Sequence, residues 1–331
     1  MRFLATGEQR EFTRTLDCLL GTCGTPAVAR AWAAGEQQPG RELWARIAAA
    51  GVFGLAVAER HGGMGPLPVE LALSFVELGR HAVPGPLAET VAAAAFLERL
   101  GEGAAAEDLL PRIAAGDAVV SLCAGGPYAG SPYAVDADAA DAVLVVEGDT
   151  VRRADAHGPV QASLDPARRL SRPLGGGVLA KGPAVTAAAA HAVEVARLAT
   201  AAQSLGLGRA LLAATVSYAG QRTQFQRPIG SFQAVKHRLA DTLIGLEFAQ
   251  PLVYAAALAV AAGAPSAGRE VAAAKVAAGE AAHAAARTAL QLHGAVGYTA
   301  ELDLSLWIRK ARPLRDAWGT PAECRARVLA A

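Results

Sequence analysis

Three side chains that could hold an anionic, flat ligand cluster in the segment RTQFQRPIGSFQAVKHRLAD, residues 222–241. Arg222, Gln224 and Phe225 fall at the predicted end of one helix. A guanidinium can pair with two anionic oxygens at once, while a neighbouring aromatic ring packs against a flat ring. This combination suits a dinucleotide, but the same residues are equally typical of an ordinary amphipathic helix followed by a Pro-Ile-Gly break.

A second segment, QLHGAVGYTAELDLSLWIRKAR at 291–312, places Gln291 and His293 directly before Gly294. Glycine lets a ligand approach the backbone closely enough to accept its hydrogen bonds. Glycines at 294 and 297 are also typical of a helix break, and a histidine here can be an ordinary core or surface residue. Alone, this segment indicates little.

Composition limits the class of protein. Apolar residues make up 53% of the 331 residues but aromatic residues only 5%, so the apolar content is largely alanine, which favours closely packed helices. The 31 basic and 30 acidic residues nearly cancel, which argues against a nucleic-acid or anionic-membrane partner. The longest apolar stretch, 252–264, is too short to span a bilayer, and no secretion signal is expected.

The cysteines show neither CxxC spacing nor a nearby histidine cluster, so neither a zinc site nor a disulfide framework is predicted, and a reducing cytoplasm is expected. They are Cys18, Cys23, Cys123 and Cys324.

Three regions differ in pattern. Residues 1–116 read as helices with short breaks, and helices return from residue 184 to 331. Between them, 117–183 contains the short β-prone runs AVVSLCAGG, DAVLVVEGDTVRRA and PVQASL, and Gly148-Asp149 predicts a hairpin turn in the second run.

Taken together, the two C-terminal segments resemble the signature segments of the acyl-CoA dehydrogenase family. LWARIAAAGVFGLAVAERHGGMG and ELALSFVELGR resemble its N-terminal domain. The resemblance implies a mainly α fold with a small β-domain: an N-terminal helical domain (1–116), a reduced middle β-domain (117–183) and a C-terminal four-helix bundle (184–331). It also implies FAD and an acyl-CoA thioester as ligands. In the family, a base removes the proton α to the thioester while hydride leaves the β carbon for the flavin.

The family's base does not match here. Its most common position is a glutamate before a Gly-Thr pair, where this chain has Trp318; a less common position matches Ala196 by spacing from Arg222. Neither side chain accepts a proton, so no catalytic residue is predicted. Glu194, Asp316 and Glu323 remain as displaced bases or as ordinary solvated charges.

The middle region also departs from the family, because 117–183 lacks its Thr/Ser-rich flavin loop and its Trp-Ile-Thr-like strand. Tyr128 and Tyr133 are interpreted there as loop anchors.

The chain does retain the residues that, in the family, contact the FAD held by a neighbouring subunit. The resemblance assigns this role to Arg222, Gln224, Phe225, Ile229, Gln233, Gln291, Gly294 and Thr320. It therefore implies the base-lacking subunit of a heteromeric, α2β2 acyl-CoA dehydrogenase. A longer partner would supply the glutamate, and electron-transfer flavoprotein would be an acceptor. No metal is expected. Trp318 would fill the unused space, adding about 1.5–3 kcal/mol if buried.

The segment SLDPARRLSRPL at 163–174 is similar to one in family members that act on steroid side chains in actinobacteria. Two alternatives stay open: a self-sufficient homo-oligomeric flavoenzyme with a displaced base, and a non-catalytic relative that binds CoA or a protein partner.

Overall fold

The computed structural model describes residues 4–124 and 132–330. As expected, the chain is mainly helical with a small sheet between two helical regions. The N-terminal helices are α1 (Gly7–Gly21), α2 (Thr25–Ala33), α3 (Gln37–Ala49), α4 (Pro68–Arg80), α5 (Leu87–Leu100) and α6 (Ala104–Ala115).

Helix α5 forms the centre of the N-terminal region. Every residue from Leu87 to Leu97 is buried, as expected of a helix that is apolar on all sides. Its many alanines let neighbouring helices approach closely, and Phe53, Phe75 and Phe96 fill the remaining core. One charged residue, Glu89, stands inside this apolar run.

The middle region contains a four-stranded sheet. Its strands lie in the spatial order β1 (Val120–Ala124), β3 (Ala142–Glu147), β4 (Thr150–Arg153), β8 (Gly177–Lys181). Four two-residue strands, β2 (Ala134–Val135), β5 (Ala156–His157), β6 (Leu170–Ser171) and β7 (Pro173–Leu174), form two small side pairs. Strands β1 and β3 pair in parallel, and β3, β4 and β8 pair antiparallel.

The predicted hairpin is confirmed, because β3 and β4 pair through Glu147 and Thr150, with Gly148 at φ +60° in the turn. The strand predicted in PVQASL is wrong: Gln161 makes only an isolated bridge to Leu170, since Pro159 and the polar residues around it offer no ladder. Tyr128 lies outside the described residues, so its predicted role is untested.

The C-terminal region is a helical bundle. It comprises α7 (Pro183–Gln221), α8 (Gln233–Ala261), α9 (Ala267–His293), α10 (Leu304–Asp316) and α11 (Pro321–Leu329), with the hairpin β9 (Thr223–Gln224) and β10 (Arg227–Pro228) between α7 and α8. Helix α7 also packs on α4, and the two backbones approach closely. A Cβ on Gly206 would lie 1.7 Å from the Val76 carbonyl oxygen, and one on Gly79 would lie 2.0 Å from that of Gln203.

Helix α8 is long and apolar enough to cross a membrane, and it is the one such helix in the described part of the chain. It packs against α9 in the bundle, but only 33% of its most apolar window is buried. Phe248, 73% exposed, and Ile244 stand on its outer face. Core helices of soluble proteins can have the same length and composition, so this helix does not decide whether the chain contacts a membrane. That it has no membrane partner stays a prediction.

Candidate cofactor and active site

Trp318 lies between α10 and α11, and it is buried, with only 7% of its surface exposed. Its indole Nε1 donates to Glu89 Oε1 at 3.1 Å, and its carbonyl oxygen accepts from Arg197 Nε at 2.7 Å. Its backbone is left-handed, with φ +59°, a conformation that a bulky side chain adopts only when its surroundings impose it. The position of the family's usual base is therefore filled by an anchored indole.

Glu89, which is 2% exposed, is the acidic partner of this indole. The Arg168 guanidinium also reaches Glu89 Oε1, at 3.3 Å, and Lys310 pairs with Asp165 at 2.7 Å nearby. Buried charges persist only when they are paired and hydrogen-bonded, and these ion pairs meet that condition. The sequence analysis missed Glu89, although a lone charge within the apolar run Leu87–Leu97 was the available signal.

The cavity beside this cluster is small, about 240 Å³. It is lined by Glu89, Leu122, Cys123, Ala124, Tyr133, Val135, Ser163, Arg168, Leu170, Pro313, Asp316, Ala317 and Trp318. Ligand pockets usually measure about 300–1,000 Å³. The cavity falls below that range, so it does not suit a flavin ring together with an acyl thioester.

The second position for a base holds no proton acceptor either. Ala196 is fully buried on α7. Glu194, two residues earlier, pairs at 2.5 Å with Arg327 on α11 and borders a different cavity. Glu194 is therefore held away from Trp318 by a salt bridge.

The other two displaced carboxylates are also engaged. Asp316 borders the small cavity but pairs with Arg315 at 3.0 Å. Glu323 completes a capping box with Thr320, and hydrogen bonds from the Thr320 backbone N–H and then its hydroxyl lower the pKa of the Glu323 carboxyl. A lowered pKa makes this carboxylate a weaker base.

The predicted cofactor residues between α7 and α8 lie together on the surface. Arg222 caps the end of α7 and Gln233 begins α8; Gln224 lies in the β9–β10 hairpin, and Ile229 donates its N–H to the Arg222 carbonyl at 2.8 Å. Phe225 sits at the hairpin turn, 87% exposed and at φ +52°. An aromatic ring this exposed is available to a partner or a ligand, although single exposed apolar side chains are also common on protein surfaces.

Gln291 and Gly294 stand at the end of α9, also exposed. Gly294 has φ +63°, which favours glycine, and a Cβ there would meet no atom within 4 Å. The rings of His293 and Tyr218 stack at 4.1 Å, which joins the end of α9 to the last turn of α7 before Arg222. His293 itself is buried and hydrogen-bonds the Ala289 carbonyl at 2.8 Å, so it is a core residue.

Thr320 does not join this exposed group. It stands beside Trp318 and Arg197, and α7 carries Arg197 about 38 Å from Arg222 at 1.5 Å per residue. The structure thus brings together the other seven predicted cofactor residues around the α7–α8 hairpin and the end of α9. Thr320 is left apart from them, near the middle of α7.

Three groups that could ligate a metal, Asp17, Glu77 and His81, come within 4.8 Å of one another. Arg80 lies 3.8 Å from the Asp17 carboxylate and 3.6 Å from that of Glu77. The guanidinium already supplies a positive charge to both carboxylates, so the cluster carries no argument for a metal.

Residues 6–117 match the family described as "Acyl-CoA dehydrogenase, N-terminal domain", and residues 186–330 match "Acyl-CoA dehydrogenase, C-terminal domain". This chain belongs to the acyl-CoA dehydrogenase family. It is 33% identical to acyl-CoA dehydrogenase IpdE2 of Mycobacterium tuberculosis, over 97% of this chain and 96% of the relative.

Two solved structures share the whole fold with this family member. The ChsE4–ChsE5 complex from Mycobacterium tuberculosis has a chain with a TM-score of 0.85 at 26% identity, covering 100% of this chain and 98% of that one. A chain of the Tcur3481–Tcur3483 steroid ACAD variant has a TM-score of 0.85 at 25% identity, covering 98% and 97%.

Membership confirms the fold class and the expectation of FAD, and it supports oxidoreductase activity on an acyl-CoA. The exposed residues near Arg222 fit the tail of a dinucleotide. The cavity beside Trp318, at about 240 Å³, is too small for a flavin ring together with an acyl thioester.

Proposed function

We propose that this chain is the base-lacking subunit of a heteromeric, flavin-dependent acyl-CoA dehydrogenase that desaturates an acyl-CoA between its α and β carbons. A longer subunit supplies the catalytic glutamate and most of the flavin site, in an α2β2 assembly. The observation that carries the proposal is Trp318, a buried indole hydrogen-bonded to Glu89 where the family's base would stand.

The small cavity next to Trp318 supports this assignment. Removing an α proton requires a carboxylate in reach of the carbon and hydrogen bonds that stabilise the thioester oxygen. Glu89 is the buried carboxylate that remains there, and its Oε1 already accepts hydrogen bonds from Trp318 and Arg168. With Trp318 and Arg168 both hydrogen-bonded to Oε1, this carboxylate serves as a structural partner of the indole and the guanidinium.

The exposed group around Arg222 supports the other half of the assignment. Arg222 and Arg227 bring two guanidinium groups to one hairpin, and a bidentate guanidinium is suited to a diphosphate. Phe225 offers a flat apolar surface beside them. These side chains are exposed and lie far along α7 from the cavity beside Trp318, so a dinucleotide held by a neighbour is the ligand that suits them.

In the assembled enzyme, Arg222 pairs with the FAD diphosphate, Phe225 packs at its adenine or ribityl side, and Gln291 with the Gly294 backbone hydrogen-bonds the same cofactor. FAD, when bound, would accept the hydride from the β carbon. Trp318 and the Glu89–Arg168 pair keep ligand out of this chain's own cavity, so chemistry takes place at the partner's site.

Two relatives bear on the assembly and substrate. ChsE4–ChsE5 is described as a complex, and Tcur3481–Tcur3483 as a steroid ACAD. By likeness to them, we propose a thioester of a steroid-derived acid as substrate. Electron-transfer flavoprotein as a partner and the cytoplasm as the location are also part of the proposal, and they rest on the family resemblance and on the cysteine pattern.

Co-expression with an adjacent gene for a longer family member tests the proposal. We expect a complex of equal subunit numbers with a flavin spectrum, and a colourless chain when it is purified alone. Arg222→Ala in the complex should lower flavin occupancy several-fold, because the diphosphate loses a charge-assisted contact worth about 1.5–3 kcal/mol.

Arg14→Ala is the matched control, since Arg14 is an exposed arginine on α1 that pairs only with nearby Glu11. It should leave occupancy unchanged. A chain that is yellow by itself and turns over an acyl-CoA without a partner would overturn the proposal in favour of a self-sufficient enzyme. A complex without flavin would favour a non-catalytic binding protein.

A further inference from the structure

A second, larger cavity of about 330 Å³ lies between the N-terminal region and the bundle. Its apolar lining comprises Leu55, Ala56, Ala58, Pro66, Pro68, Leu71, Ala95, Val195, Leu198, Val260 and Ala261. The volume is within the range of small-molecule pockets, which are usually apolar with a few placed polar groups. This cavity can therefore receive a compact apolar body.

Four ionisable side chains border the same cavity: Arg60, Glu98, Arg99 and His191. The Glu98 carboxylate is already satisfied, because it accepts from the Ala58 backbone N–H at 2.9 Å, contacts His61 Nδ1 at 3.0 Å and pairs with Arg60. It offers no free negative charge to a ligand.

Arg99 and His191 are in the opposite situation. Within residues 4–124 and 132–330, neither side chain makes a hydrogen bond or a salt bridge. The two are close enough that the Arg99 charge contributes, after burial, to lowering the pKa of the His191 imidazole. The Glu194 carboxylate opposes this shift, but it is paired with Arg327. The cavity border thus carries an exposed guanidinium with no carboxylate paired to it among the described residues, and an imidazole beside it, which an anionic group would complement.

This cavity is separate from the one beside Trp318. Glu89 and Glu98 stand on the same helix, about 14 Å apart at 1.5 Å per residue. On α7, His191, Val195 and Leu198 follow helical spacing and share a face, whereas Arg197 contacts Trp318. No residue lines both cavities.

We propose that this second cavity binds a small apolar carboxylate, with its hydrocarbon part among Leu71, Val195 and Leu198 and its carboxylate at Arg99 and His191. The volume of about 330 Å³ lies at the low end of the range for small-molecule pockets, which favours a compact monoanion over a larger ring system. The site is independent of FAD and of the proposed partner.

Calorimetric titration of the full-length chain with decanoate tests the site, with 1-decanol and decylamine as probes of the same length and different charge. We expect decanoate to bind about tenfold more tightly than 1-decanol, and decylamine more weakly than both. Arg99→Gln should weaken decanoate binding about tenfold and leave 1-decanol unchanged, because the guanidinium contacts only the carboxylate.

Ala261→Trp places a large ring over the cavity from an exposed position at the end of α8, and it should abolish binding of both decanoate and 1-decanol without disturbing the core. The matched controls are Arg287→Gln and Ala284→Trp, which alter exposed residues of α9 outside the cavity. Both should bind like the unaltered chain.

Equal affinity for decanoate and 1-decanol, or unchanged decanoate binding by Arg99→Gln, would show that the cavity does not recognise the carboxylate and would overturn the proposal. Unchanged binding of both probes by Ala261→Trp would place them elsewhere, such as on the exposed apolar face of α8, and would overturn it. The flavin content of the co-expressed complex is not involved in either result, so this inference and the proposed function fail separately.

Discussion

Replacing Trp318 with alanine tests whether the indole is a structural part of the core. Deleting a buried tryptophan side chain usually costs about 3–5 kcal/mol, and Glu89 would also lose a donor in a buried site. Trp318→Phe keeps an aromatic ring but removes the Nε1 donor, so it should cost about 1–3 kcal/mol. The free energy of unfolding should therefore fall in the order tryptophan, phenylalanine, alanine.

The left-handed backbone adds a second, sharper expectation. At φ +59°, alanine carries a penalty of about 1–2 kcal/mol that glycine avoids. Trp318→Gly should consequently be more stable than Trp318→Ala by about 1 kcal/mol, the reverse of the order seen inside a regular helix.

Urea unfolding followed by circular dichroism, with unchanged m-values, measures these differences. Flavin occupancy of the co-expressed complex should stay unchanged in all three variants, because Trp318 does not touch the partner's cofactor in the proposed function. A cost below about 1 kcal/mol for Trp318→Ala would refute the buried role. Loss of flavin from a stable Trp318→Phe complex would refute the separation of Trp318 from the cofactor residues near Arg222.

Two further changes test buried and capping charges. Burial lowers the pKa of Lys275 to about 8 from the value of 10.5 expected in the unfolded chain. Between pH 8 and pH 10.5 the unfolded chain therefore binds more protons than the folded one, and the free energy of unfolding rises with pH. Lys275→Met should lack this rise, so the unfolding free energy of the unaltered chain minus that of Lys275→Met should increase by up to about 2 kcal/mol from pH 7.5 to 9.5. The lowered pKa of Glu323 gives stability that is present above its unfolded value of 4.5 and is lost as pH falls through the folded one. Glu323→Gln should cost less than about 1 kcal/mol at pH 6, since the cap is exposed, and the cost should shrink as the pH falls below 4.5; a pH-independent difference would contradict this.

Local patterns predicted the elements well. The β-prone run DAVLVVEGDTVRRA with its Gly-Asp turn predicted the β3–β4 hairpin. The alanine-rich stretches with helical periodicity predicted the helices on either side of the sheet. PVQASL failed because β-prone residues form a strand only when a neighbouring strand is available, and Gln161 finds only Leu170.

The contacts at Trp318 could not be predicted from spacing. Glu89 and Trp318 are 229 positions apart, and Arg168 reaches the same carboxylate from a third region. A motif match could say that a carboxylate is missing before Gly319. It could not say that a different carboxylate stands against the indole, because that depends on how α5 packs against the loop between α10 and α11.

The contacts of Trp318 support the part of the proposed function in which this chain's own site is closed to substrate. An alanine or serine before Gly319 would remove the base equally well, but it would leave Glu89 buried with one fewer donor and a void beside α5. The indole fills the space, donates to Glu89, and is held in its left-handed conformation by Arg197 on its carbonyl. An open pocket that had merely lost one catalytic group would need none of these contacts. Their presence means that restoring a glutamate at 318 would set two carboxylates against each other, which favours protonation of one of them over a working base.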